Sequence, residues 1–121
     1  MRRVVCLITA LLGFTAVRAA DVTVTLLHTT DLHAQIAPVT DYDGRPNRGG
    51  LARLAHRIQV ERERDPGLIL VDAGDTIQGS PYGFLTRGRV MVDYLNALRY
   101  DAWALGNHEW DWGASALRDC L

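Results

Sequence analysis

The stretch "LILVDAGD", residues 68–75, decides the fold. Four apolar residues run without a polar break and end on Asp72 and, past Gly74, on Asp75. A half-buried strand alternates polar with apolar; an unbroken apolar run of this length reads as a buried strand of a parallel sheet. Upstream, "LARLAHRIQVERER" (51–64) places Leu51, Leu54, Ala55 and Ile58 at helical spacing with Arg and Glu opposite, and Asp65-Pro66-Gly67 stops the helix. Before it lies "TTDLHAQIAPVTDYDGRPNRGG" (29–50), a long Gly- and Pro-rich loop, and before that "DVTVTLLH" (21–28), a strand.

Downstream, "TIQGSPYGFLTRG" (76–88) reads as a second loop and "RVMVDYLNALR" (89–99) as a helix with Val90, Met91, Tyr94, Leu95 and Leu98 on one side. "YDAWALG" (100–106) is a third strand, and "ASALRDCL" (114–121) begins another helix. The order β-loop-α-β-loop-α-β-α predicts an α/β fold with a parallel sheet and right-handed crossovers. In such a sheet all strand-to-helix junctions fall on one edge, where ligands of open α/β folds bind. The three junctions carry Asp31-Leu32-His33, Asp72-Ala73-Gly74-Asp75 and Asn107-His108-Glu109.

Each junction has metal or proton chemistry within reach. Asp31 and His33 stand two apart in what reads as an extended segment, so their side chains leave on the same side and can share a divalent ion such as Zn, Mn or Fe. Asp75 can bridge two ions through its two oxygens, as carboxylates do in two-metal hydrolytic sites. Asn107 offers a neutral amide oxygen. His108, pointing the other way in an extended stretch, reads as a proton donor or charge stabiliser, with Asp111 orienting its ring and raising its pKa. Taken singly, Asp75 reads as the N-cap of the next turn and Asp111 as a solvated turn residue. Three such sets on one sheet edge favour a dinuclear metal centre.

Composition narrows the setting. The chain has 121 residues, one domain or less. Residues 1–19 read as a signal peptide: Arg2 and Arg3 precede the apolar "VVCLITALLGFTAV", and Val17-Arg18-Ala19 offers a cleavage site after Ala19. The apolar run is shorter than the roughly 20 residues of a membrane span, so no stable membrane anchor is expected. General export to the periplasm or the medium is expected instead. Cleavage would remove three of the 13 basic residues and none of the 14 acids, leaving a net charge of −4 and no basic footprint for a nucleic acid polymer. Cys120 would then be the sole cysteine, ruling out an internal disulfide within residues 20–121.

Read together, "LLHTTDLHAQ", "LVDAGDTIQGSP" and "ALGNHEWDWG" resemble the D-x-H, G-D and G-N-H-E blocks of the calcineurin-like metallophosphatases, and within them the secreted bacterial 5'-nucleotidase family; "GGLARLA" is similar to that family's first helix. The resemblance implies a four-layer α/β sandwich of two packed sheets, of which residues 20–121 would be the N-terminal part of the catalytic domain. It implies two divalent metal ions (Zn, Mn or similar), with Asp31 and His33 on the first, Asp75 bridging and Asn107 on the second. His108 would be the catalytic histidine, steadied by Asp111, in hydrolysis of a nucleotide or another small phosphoester. The family's further histidines, a G-H-x-H motif among them, and its base-binding domain lie later than Leu121, so the chain alone is expected to be inactive. The 2',3'-cyclic-nucleotide phosphodiesterase and thiosulfohydrolase branches are alternatives, although Asp111 fits the nucleotidase pattern. A non-catalytic truncated remnant is the reading from outside enzymology.

Overall fold

A computed structural model describes residues 21–121, so the expected signal peptide lies outside the described residues. Three strands, β1 (Leu26–Thr29), β2 (Ile69–Asp72) and β3 (Ala102–Trp103), form a parallel sheet in the order β1-β2-β3. Four α-helices connect and follow them: α1 (Leu51–Arg64), α2 (Pro81–Thr86), α3 (Arg89–Ala97) and α4 (Gly113–Cys120). The α/β class, the parallel pairing and the alternation of strands and helices are as the sequence predicts.

Registration explains why the strands are shorter than their apolar runs. Leu26 pairs with Ile69, where β2 begins after the Asp65-Pro66-Gly67 turn, so residues 21–24 have no strand partner among the described residues and Val22 and Val24 lie exposed. At the other edge, β3 pairs only through Ala102 and Trp103, and the Asp101 side chain accepts from Leu70 N at 2.8 Å. Beyond Ala104 the chain leaves the sheet to form the third junction.

Sequential strand order puts both crossover helices on one face. Leu27 and Leu70 point there and pack with Ile58, Leu68, Leu98 and Tyr100. A second cluster, Ala34, Leu51, Ile77, Met91, Val92, Leu117 and Cys120, lies under the junction loops. Val92, not counted on the apolar side of α3 from sequence, is buried alongside Met91 and Leu95. Cys120 serves as a small core residue at the end of α4. Arg62 ties α1 to α3 by donating to the Leu98 and Arg99 carbonyls, the latter at 2.6 Å, which satisfies free carbonyls at the C-terminal end of α3.

One stretch departs from expectation. Residues 81–86, read as loop, form α2. Ser80 caps it by accepting from Gly83 N, and Pro81 stands at its first position, where its missing N–H costs nothing. Gly83 argued against a helix, yet a Cβ there would sit 2.5 Å from the Ile77 carbonyl oxygen and 2.8 Å from the Ala34 Cβ, so this helix can approach the core only through glycine.

The opposite face of the sheet is open among the described residues: Leu26 is 60% and Ile69 40% exposed. β2 is thus covered on one side only, whereas its sequence reads as buried on both. No helix among the described residues is long and apolar enough to cross a membrane. Residues 20–121 produced alone should bind a hydrophobic dye such as ANS strongly and lack a cooperative thermal transition. A sharp cooperative melt without dye binding would contradict this.

Candidate metal centre

The junction loops carry the sheet's pairing beyond its strands. Ala73 N donates to Thr29 O at 2.8 Å, Asp31 N to Gly74 O at 3.0 Å, His33 N to Asp75 O at 3.0 Å and Ala34 N to Thr76 O at 2.8 Å. Along this seam Asp31, His33, Ala34 and Asp75 all adopt left-handed conformations, with φ of 53°, 47°, 51° and 54°. Such backbone costs of order 1–3 kcal/mol per non-glycine residue and persists where the surroundings impose it. Asp31 and His33 therefore converge, but not as alternate residues of an extended segment. His33 Nε2 lies 3.7 Å from Asp31 Oδ1. Asp31, His33 and Asp75 each offer a ligand atom, all within 4.8 Å of one another.

Hydrogen bonds orient these groups. His33 Nδ1 lies 2.9 Å from the Gln78 carbonyl oxygen, which can only accept. The proton therefore sits on Nδ1, and Nε2 keeps a lone pair for a cation. Asp75 Oδ1 accepts from His108 N at 3.0 Å, which orients the carboxylate and leaves Oδ2 and one lone pair of Oδ1 for cations.

His108 opens a 3-10 turn (His108–Trp110) rather than continuing an extended strand. Its ring still meets the other junction, with its centroid 5.2 Å from that of His33 in an edge-on arrangement. Asp111 Oδ2 accepts from His108 Nδ1 at 2.8 Å, the pairing read from sequence. That bond is the main cause of a raised His108 pKa, with the charges of Asp111, Asp75 and Glu109 adding to it and partial burial opposing it. Asn107 begins the same turn, exposed, with its carbonyl accepting from Trp110 N at 3.2 Å.

The second and third junctions touch backbone to backbone. A Cβ on Gly74 would lie 2.5 Å from Gly106 N, and one on Gly106 would collide with Asp75 Oδ1. Two further acids complete the arrangement. Asp72, 2% exposed, accepts from Thr29 Oγ1 at 2.6 Å, from Gly74 N at 2.9 Å and from the Thr76 hydroxyl. Glu109, which the sequence placed in the third junction without a role, is 1% exposed, and both its oxygens accept backbone N–H groups. Beside Asp31 opens a cleft of about 690 Å³, lined in part by Leu32, Gln35, Asn47, Arg48 and Leu54.

Residues 24–120 match the calcineurin-like phosphoesterases, and the chain belongs to that family. It is related to the 5'-nucleotidases: it is 40% identical over 110 residues to the snake venom 5'-nucleotidase of Crotalus adamanteus, covering 88% of this chain and 19% of that protein. Human 5'-nucleotidase is 39% identical over 102 residues, covering 80% of this chain and 18% of its own length. The crystal structure of a 5'-nucleotidase precursor from Thermus thermophilus superposes with a TM-score of 0.72 at 38% identity, over 80% of this chain and 20% of that one. The chain thus spans about a fifth of the length of these relatives.

The Asp111 contact makes a direct prediction. Asp111→Asn removes the chief cause of the upward shift, so the His108 ring should titrate at lower pH than in the parent. An NMR pH titration of the imidazole carbons checks this; an unchanged or higher midpoint would contradict it.

Proposed function

We propose that this chain supplies the first metal-binding part of a dinuclear-metal phosphoester hydrolase of the 5'-nucleotidase type, acting outside the cytoplasm on nucleotides or related small phosphoesters. The observation that carries the proposal is the convergence of Asp31, His33 and Asp75 donors within 4.8 Å, with the His108 ring 5.2 Å from that of His33. The donor set fits: two carboxylates and an imidazole whose Nε2 is kept free suit Zn or Mn. In this reading Asp31 and His33 hold the first ion, Asp75 is shared and Asn107 serves the second. Two ions there would polarise the phosphoryl oxygens and lower the pKa of the attacking water.

The chain's own residues do the rest. Gln78 and Asp111 fix the tautomers of the two histidines through their Nδ1 protons. His108, held protonated to higher pH than an ordinary histidine, offers positive charge or a proton from Nε2 to the oxygens of the reacting phosphoryl group. The cleft beside Asp31, with apolar Leu32 and Leu54 and polar Gln35, Asn47 and Arg48, has room for the non-reacting part of a small phosphoester. Residues 1–19 act in this proposal as the export signal, and residues 20–121 as the N-terminal part of the catalytic domain.

The test is made in the protein expressed from its full reading frame, by following phosphate release from a 5'-nucleotide and metal content together. Asp75→Asn should lose metal and activity in parallel. His108→Ala should keep its metal and lose turnover by about 10²–10⁴-fold. Loss of metal from His108→Ala would overturn its assigned role. Turnover of cyclic nucleotides or thiosulfate esters with 5'-nucleotides untouched would move the protein to one of the alternative branches.

A further inference from the structure

We infer that Glu109 is a positioning residue of the metal centre: its buried carboxylate sets Asp75 against Asn107 and His108 by gripping the backbone of both junction loops. The inference rests on the metal reading proposed above and goes beyond it, since Glu109 is neither a ligand nor a proton donor there.

The geometry leaves Glu109 no other task. Oε2 accepts from Asp75 N at 2.9 Å and from Gly106 N at 2.7 Å. Oε1 accepts from Thr76 N at 2.7 Å and from Ile77 N at 3.3 Å. An ionised carboxylate has about four acceptor sites, so these four donors fill it. With 1% of the residue exposed, Glu109 is shut off from solvent, and it stands outside the Asp31, His33 and Asp75 donor group. Three consecutive amides, those of Asp75, Thr76 and Ile77, turn towards one anion, an arrangement seen in backbone anion nests.

The consequence is positional. A single oxygen, Oε2, holds Gly106 N and Asp75 N at once, which fixes the Leu105–Gly106 peptide, one residue ahead of Asn107, against the residue that would bridge the ions. His108 N closes the circuit by donating to Asp75 Oδ1 at 3.0 Å. Glu109 sits in the 3-10 turn with His108, so one short segment carries the second ion's ligand, the catalytic imidazole and the clamp that registers both against Asp75. A different buried acid, Asp72, anchors the base of the same loop through Gly74 N and Thr29. That anchor lies at the end of β2 and does not bind the third junction.

Glu109→Gln keeps the volume but turns an NH₂ group toward backbone donors, leaving part of the set without an acceptor. In the full-reading-frame protein, loaded with Mn²⁺ alone and followed by EPR and chelator competition, the parent should bind two ions and show the exchange-coupled signal of a pair. In Glu109→Gln the second ion should weaken by about 10- to 100-fold, while the first stays as tight as in the parent and the coupled signal fades. Glu109→Asp, which keeps the charge and shortens the reach by one methylene, replaces it if the Gln variant does not fold. A folded variant that binds both ions as the parent does, whatever its Tm, overturns the inference. Failure of both variants to fold also overturns it, because Glu109 would then be a general element of stability. A parent that binds no pair of ions overturns the metal reading itself, and the inference with it.

Discussion

The arrangement depends on how closely three backbone segments can approach at the carboxyl edge of one small parallel sheet. Pairing does not stop where the strands stop. It continues from Thr29 to Ala34 against Ala73 to Thr76, through residues forced into left-handed conformations. The third segment then meets the second without side chains between them, because Gly74 and Gly106 have none. Any larger residue at either position would part the loops and break the contact of His108 N with Asp75 Oδ1.

Such a seam is costly, and the rest of the fold offsets the cost. Four left-handed non-glycine residues in a short span store several kcal/mol of backbone strain by the usual range for such positions. Against it stand the seam's own hydrogen bonds, the charge-assisted bonds of Asp72 and Glu109, and the core under the loops. Ala34 shows the coupling: it is left-handed, fully buried, bonded to Thr76 through its amide, and its carbonyl accepts from Ser80, the cap of α2. The sequence element that caps a helix also holds the loop carrying Asp31 and His33 against the sheet.

Much of this was legible in the residues. The order of strands and helices followed from apolar period and from stop signals such as Asp65-Pro66-Gly67, and the parallel order alone placed the three polar junctions on one edge. The pairing of His108 with Asp111 followed from side-chain type and spacing. What was not legible depended on tertiary contact. Alternation suggested that Asp31 and His33 lie on one side of an extended segment; they converge through left-handed turns that only the neighbouring Gly74–Thr76 backbone imposes. α2 was hidden by Gly83, whose reason is a close approach to Ile77 and Ala34 rather than a turn. Glu109 had no role in the sequence reading, because nothing local shows that four amides from two loops will close around it.

Membership of the calcineurin-like phosphoesterases and likeness to 5'-nucleotidases agree with this edge-built centre. The three junctions are proposed to come together to hold a pair of ions. Crystals of the full-reading-frame protein grown with Mn²⁺, and measured for anomalous scattering, test it most directly. Two anomalous peaks are expected about 3.5–4 Å apart, with Asp75 touching both, Asp31 and His33 on one and Asn107 on the other. A single peak, or a pair that leaves Asp75 out, would contradict it.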